Sequence, residues 1–293
     1  MSLLEVYNLT KRYGQEAAVD DVSFLLNEHT ATALIGPNGA GKTTTLSMLA
    51  GMLKPTKGTI NWPKEMGMGF LPQYPQFFPW LTALEFTEMA AKLSGVDAKN
   101  IRLQSTRTLE FVGLGNALNK KTAAFSGGMK QRLGLAQAIV HQPKLLLLDE
   151  PVSALDPTGR REIMNLLKSL QQDTTILYST HILNDAEEMT DQVLFMQNGQ
   201  LVEQGSLSDV KERHAEPRIR IAFHSNELST LFMNQTSWQG SVSGATVFLA
   251  ITENGPTMQE VLAALGTWDQ GVLGVELQTA TLEEIFLKVA SGK

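Results

Sequence analysis

Short apolar runs closed by turn residues make up the start of this chain. Residues 3–7 and 18–26 are rich in apolar side chains and bounded by Gly14 and Asn27, which predicts two short strands. Residues 31–35 form a third run that stops abruptly at a glycine-rich segment, and residues 44–50 read as a helix with Gly51 as its stop signal. Proline and aromatic residues then take over at 72–79, a loop. From residue 82 to about 140 the period is helical, with Met129, Leu133, Ala136 and Val140 on one face and Pro143 ending the stretch. Residues 145–148 are four consecutive leucines before Asp149. A short, wholly apolar run suits a central strand of a parallel sheet, buried on both faces. Residues 174–179 and 193–196 resemble it, and Asn198-Gly199 marks a hairpin because both residues tolerate positive φ. Strands alternating with helices predict an α/β layer fold.

The polar stretch 206–216, closing at Pro217, predicts a boundary between domains at 1–216 and 217–293. Beyond it the pattern reads strand 218–223, helix 226–233, strands 238–243 and 246–251, helix 257–265 and strand 272–278. That βαββαβ order resembles a small α+β ferredoxin-like unit. Thr281 with Glu284 three residues on forms a capping box opening a last helix, to about residue 290.

Composition narrows the function classes. Hydrophobic residues at 43% and charged residues at 18% exclude an intrinsically disordered chain. The 30 Asp plus Glu outnumber the 24 Lys plus Arg, which argues against a general electrostatic grip on nucleic acid. With no cysteine, disulfides, thiolate metal sites and a cysteine nucleophile are all ruled out. No secretion-signal pattern is visible at the start, and nowhere do about twenty apolar residues run together. The expectation is a soluble, cytoplasmic, mildly acidic protein.

Gly36-Pro37-Asn38-Gly39-Ala40-Gly41-Lys42-Thr43 fits G-x-x-x-x-G-K-[ST] between a predicted strand and a predicted helix, where phosphate binding requires it. Glycines let backbone N–H groups turn toward phosphate oxygens, and the helix N-terminus adds positive potential. Lys42 would reach the β- and γ-phosphates and Thr43 would offer a hydroxyl to Mg²⁺. Asp149 and Glu150 leave the end of the leucine run together. Adjacent carboxylates point differently, so one can hold Mg²⁺ while the other polarises water. A solvated strand end is the competing reading of that pair alone.

Further along, the chain resembles the ATP-binding subunits of ABC transporters. Phe125-Ser126-Gly127-Gly128-Met129 resembles the family's signature motif, and Lys130-Gln131-Arg132 follows it as is typical. Ser153-Ala154-Leu155-Asp156 resembles the D-loop, and His181 after Tyr178-Ser179-Thr180 resembles the switch histidine. Gln73 matches the Q-loop glutamine, and Tyr13 the aromatic residue that stacks on adenine. The resemblance covers roughly residues 3–212. It implies a P-loop NTPase core (an ABC-type ATPase) with a helical subdomain, taking ATP and Mg²⁺. It implies Glu150 as general base, His181 at the γ-phosphate, and Asp149, Thr43 and Gln73 at the metal. Gly36 to Thr44 with Thr44 included, Tyr13, Ser126, Gly127, Gly128 and Asp156 would bind nucleotide, the last four across a head-to-tail dimer. The implied partners are integral membrane subunits and a second ATP-binding subunit, expected to be a copy of this chain, at the cytoplasmic face of the membrane; nucleic acid is not among them.

The signature ends in Met129 where glutamine is usual, Val152 replaces a frequent threonine, and residues 58–69 look shorter than the usual loop. The short tail and the closing 281–286 segment resemble exporter-type subunits. His29, His141, His214 and His224 lack ligand spacing and read as surface or packing residues. Met66 and Met68 read as alternating strand positions. Tyr74, Phe77, Phe78 and Trp80 are either buried core or a hot spot for a helix of the membrane domain. A soluble ATPase remodelling nucleic acid or ribosomes is the competing class; it would bring a second cassette or a long coiled coil, which this chain lacks.

Overall fold

The computed structural model describes residues 2–63, 67–153, 155–214, 217–252, 255–268 and 270–290, the last by its backbone only. Ala154 and Met66 therefore lie outside the described residues. The chain divides into two compact units, one ending at Leu207 and the other beginning at Ser208.

The first unit opens with a hairpin, β1 (Ser2–Tyr13) and β2 (Glu16–Asn27), followed by β3 (Ala31–Ile35) and helix α1 (Lys42–Leu49). Both hairpin strands are longer than their apolar runs predict. Asn8 and Asp21 take positive φ inside the strands and their side chains hydrogen-bond across the pair at 2.7 Å. These irregular positions interrupt the period without ending the pairing. β4 (Lys57–Asn61) pairs with β1, completing a three-stranded antiparallel sheet in the order β2-β1-β4.

β5 (Met68–Leu71) precedes a helical region of α2 (Ala83–Leu93), α3 (Ile101–Phe111) and α4 (Gly127–Ile139). α2 is opened by a capping box between Thr82 and Glu85, and α4 by the Ser126 hydroxyl accepting the Met129 N–H. β6 (Leu145–Asp149), α5 (Pro157–Leu170), β7 (Thr175–Thr180), α6 (Leu183–Met189), β8 (Gln192–Gln197) and β9 (Gln200–Ser206) follow. The second sheet runs β5-β6-β7-β3-β8-β9 and is parallel except for the β8–β9 hairpin, where Asn198 and Gly199 hold φ of 49° and 81°. Every residue of β3, β6 and β7 is buried, as central strands of a parallel sheet covered on both faces are. Leu4, Val6, Leu9, Val22 and Leu26 of the hairpin share one core with Leu34, Leu46, Leu147 and Leu177.

Within the polar stretch read as a domain boundary, Leu207–Arg213 fold into helix α7, with Val210 fully buried. The second unit continues as β10 (Arg218–Phe223), α8 (Asn226–Gln235), β11 (Gly240–Ser243), β12 (Thr246–Ala250), α9 (Met258–Gly266), β13 (Val272–Gln278) and α10 (Leu282–Ala290). Its antiparallel sheet has the order β11-β12-β10-β13. The predicted strand 238–243 loses its first two residues, because Trp238 packs against Phe232 in an aromatic core with Phe223 and Trp268. The capping box of Thr281 and Glu284 is present, at 3.0 and 3.3 Å. Among the described residues, no helix is long and apolar enough to cross a membrane.

His141 is half-buried, with Nε2 3.1 Å from the Met68 carbonyl oxygen and no hydrogen-bond partner for Nδ1 among the described residues. Burial lowers its pKa from the ordinary value, and the Met68 carbonyl opposes that shift more weakly. The unfolded chain therefore binds this proton more readily. The stabilisation is complete above the unfolded value of about 6.5 and is lost as pH falls through the lower folded value. The urea midpoint should fall between about pH 7.5 and 5.5, and His141→Gln should flatten that fall; an unchanged pH profile in the variant would acquit His141.

Candidate functional site

The carboxyl ends of β3, β6 and β7 lie side by side in the parallel sheet, β7 between the other two. Each releases one predicted element there: residues 36–43 after β3, Asp149 and Glu150 at the end of β6, and His181 directly after β7. This is where open α/β sheets bind ligands.

The glycine-rich segment closes because its conformation needs glycine. Gly39 and Gly41 hold φ of 81° and 103°, and a Cβ on Gly41 would come within 2.4 Å of the Ala18 carbonyl oxygen. α1 consequently begins at Lys42, two residues before the apolar pattern suggests. The loop borders a cleft of about 350 Å³ lined by Ala18, Asn38 to Thr44, Gln73 and Glu150.

Lys42 is the buried cation of this cleft. Its Nζ donates to the carbonyls of Gly36 at 2.7 Å and Pro37 at 3.1 Å and lies 3.8 Å from Glu150 Oε1. Burial pulls its pKa below the usual lysine value, against the opposing pull of Glu150 and Asp149. Glu150, also buried, brings Oε2 within 3.1 Å of His181 Nδ1. Its backbone sits in the left-handed region at φ 48°. Asp149 ends β6 fully enclosed, and its Oδ1 accepts the Ser179 hydroxyl at 2.6 Å.

The structure thus gathers Asn38, Gly39, Ala40, Gly41, Lys42, Thr43, Thr44, Gln73 and Glu150 around one cleft. Gly36 and Pro37 adjoin it through their carbonyls, and His181 through Glu150. Tyr13 stands apart as an exposed ring under the Lys11 ammonium, 5.3 Å from its centroid. Ser126, Gly127 and Gly128 form the start of α4, and Asp156 caps α5 by accepting the Gly159 N–H at 3.0 Å; none of the four lines the cleft. Two residues that the sequence reading names only as motif neighbours make contacts it does not foresee. Ser179 touches both Asp149 and Glu150, and the buried Gln131 amide donates to the Pro151 carbonyl at 2.8 Å. Strand pairing would have pointed to Ser179, which is in register with Asp149.

Among the described residues, no three histidine, aspartate or glutamate side chains converge on a metal position. The donors at hand are the Thr43 hydroxyl, the Gln73 amide and the paired carboxylates. That set fits Mg²⁺ bound together with a polyphosphate, which takes only one or two protein ligands.

The ABC transporter family pattern matches residues 19–153. YxlF, an ABC transporter ATP-binding protein of Bacillus subtilis (strain 168), is 50% identical over 216 residues, 72% of this chain and 73% of that protein. The bacitracin transport ATP-binding protein BcrA of Bacillus licheniformis is 38% identical over 225 residues, 73% of this chain and 72% of its own. Nod factor export ATP-binding protein I of Ralstonia nicotianae is 31% identical over 300 residues, 98% of this chain and 93% of its own. A solved ATP-binding subunit of an ABC transporter superposes with a TM-score of 0.66 at 30% identity, over 72% of this chain and 92% of that one. The dimeric cassette MJ0796 gives 0.64 at 26% identity, and its post-hydrolysis form bound to ADP and Pi gives 0.63 at 26%; each match covers 70% of this chain and 99% of that one.

Lys42→Ala should weaken binding of a nucleoside triphosphate by about tenfold or more, the worth of one charge-assisted hydrogen bond. Titration calorimetry with the full chain reads this, and parent-like affinity would remove Lys42 from the phosphate site.

Proposed function

The chain belongs to the ABC transporter family of ATP-binding proteins and is an ATPase, and from that premise we propose that it powers export through separate membrane subunits. The carrying observation is the single cleft that gathers the P-loop amides, Lys42, Gln73 and Glu150, with His181 against Glu150.

Lys42 is already held at the mouth of the loop by two carbonyls, so an arriving phosphate replaces weak acceptors with charged ones. The Glu150 carboxylate takes the proton of the attacking water, and His181 fixes one of its oxygens while reaching toward the γ-phosphate. Bound with the nucleotide, Mg²⁺ supplies neutralisation of phosphate charge, with Thr43, Gln73 and Asp149 as the residues to hold it.

Ser126, Gly127 and Gly128 act on a nucleotide held by a second copy of the chain. Neither glycine has positive φ, a Cβ on Gly127 would meet nothing within 4 Å, and one on Gly128 only Leu155 at 3.5 Å. Glycine in a helix costs up to roughly 1 kcal/mol against alanine. Nothing within the described chain asks for glycine at either place, whereas close approach by an outside phosphate would. Family cassettes do form dimers, MJ0796 among them. ATP that binds the closed dimer better than the open one can move the membrane subunits. Tyr13 would stack on adenine and Asp156 would link the two sites.

Export is favoured by two relatives, named for bacitracin transport and for Nod factor export. In this reading the first unit is the ATP-binding domain, the second a ferredoxin-like domain, and the assembly sits at the cytoplasmic membrane face without nucleic acid. Exposed Tyr74, Phe78 and Trp80 offer the membrane subunit an aromatic contact next to Gln73.

Ser126→Arg should retain ATP binding and lose hydrolysis; normal hydrolysis would sink the two-copy site. Glu150→Gln should slow turnover by about 10²–10⁴ and trap an ATP-bound dimer visible by gel filtration. Affinity purification of the tagged chain from detergent-solubilised membranes should recover an integral membrane protein in stoichiometric amount, and ribosomal partners alone would defeat the transporter assignment.

A further inference from the structure

We propose that Ser179 is a positioning residue for hydrolysis, its one hydroxyl setting the Asp149–Glu150 peptide and thereby aiming the Glu150 carboxylate. Ser179 is fully buried in β7, directly opposite Asp149 of β6. Its Oγ donates to Asp149 Oδ1 at 2.6 Å and accepts the Glu150 N–H at 2.9 Å. The direction of both bonds is forced. A carboxylate only accepts, so the hydroxyl proton points at Asp149 and a lone pair is left facing the Glu150 amide.

Glu150 needs such a hold. A non-glycine residue at φ 48° persists only where its surroundings over-determine it. Beyond Glu150 the turn is fixed by other groups. The Glu150 carbonyl accepts the Ser153 N–H at 3.3 Å and the Ser153 hydroxyl at 3.2 Å, and the Pro151 carbonyl accepts Gln131 at 2.8 Å. Its amide end is held by Ser179. Removing the hydroxyl leaves a buried N–H without its acceptor and an aspartate without its donor, in the residue pair that carries the chemistry. The peptide between them then turns toward ordinary φ, and the carboxylate leaves its place beside Lys42 and His181.

The assignment rests on Glu150 being the base, and one set of variants separates the two ideas. Ser179→Ala and Ser179→Thr are made in the parent full chain and again in Glu150→Gln, and ATP hydrolysis is followed at saturating Mg²⁺. Ser179→Ala should lower kcat by about 10- to 100-fold, as loss of an orienting partner does, with KM for ATP within about twofold of parent. Ser179→Thr, which keeps the hydroxyl, should recover most of the rate. In the Glu150→Gln background Ser179→Ala should cost less than about twofold further, because the carboxylate it aims is gone.

A parent-like kcat in Ser179→Ala overturns the proposal. So does an equal slowing of parent and Glu150→Gln, which marks a general structural loss. A Ser179→Thr as slow as Ser179→Ala does the same, since space and not the hydroxyl would then govern the site. Full activity in Glu150→Gln alone would instead defeat the reading of Glu150 as base.

Discussion

A strand buried on both faces has no surface to offer, so it can carry function only where it ends. β3, β6 and β7 are three such strands, adjacent and parallel. Parallel pairing puts all three carboxyl ends on one edge, and that constraint assembles the site. The glycine-rich loop, the Asp149–Glu150 pair and His181 are far apart in sequence, yet each lies at or just past the carboxyl end of its strand. The leucines of 145–148 thus matter to the chemistry by depth alone: they hold β6 in the sheet interior so that its two carboxylates emerge beside Lys42.

Burial there sets the electrostatics as well. Lys42 and Glu150 are both enclosed, and an enclosed charge is costly unless its partners are in place. The cleft meets that cost with two loop carbonyls on the ammonium and with Lys42 and His181 on either oxygen of the glutamate. The same contacts hold the groups oriented, so on the proposed reading little ordering would remain to be done when a nucleotide binds. The left-handed backbone at Glu150 belongs to this economy: a turn that sharp lets adjacent carboxylates face different directions.

Much of this was legible in the residue pattern because the signals are local. The run of leucines, the Asn-Gly hairpin, the glycine-rich loop and the capping box at Thr281 each depend on neighbours within a few positions. What escaped depends on partners distant in sequence. Ser179 is one serine among many until β7 is laid against β6, and Gln131 reads as an ordinary helix residue until the Pro151 carbonyl is beside it. The hairpin strands were underestimated for a related reason. The first apolar run stops just before Asn8, and only the hydrogen bond of Asn8 to Asp21 across the pair shows why β1 continues through it. Trp238 went to the core instead of the strand for the sake of Phe232, a tertiary preference no local period encodes.

Met129, the departure from the usual signature, can be weighed in the same terms. The cap on α4 uses the backbone N–H of residue 129, accepted by the Ser126 hydroxyl at 3.3 Å, and so is indifferent to the side chain that follows. The thioether makes one weak polar approach, to the Lys120 ammonium at 3.9 Å. Glutamine is therefore not needed to build this helix start. A thioether is a soft, weak acceptor and no donor. If the start of α4 faces a nucleotide of a second copy, as proposed, methionine would leave recognition there to the Ser126 hydroxyl and the first amides of α4, which a helix N-terminus presents to an anion in any case.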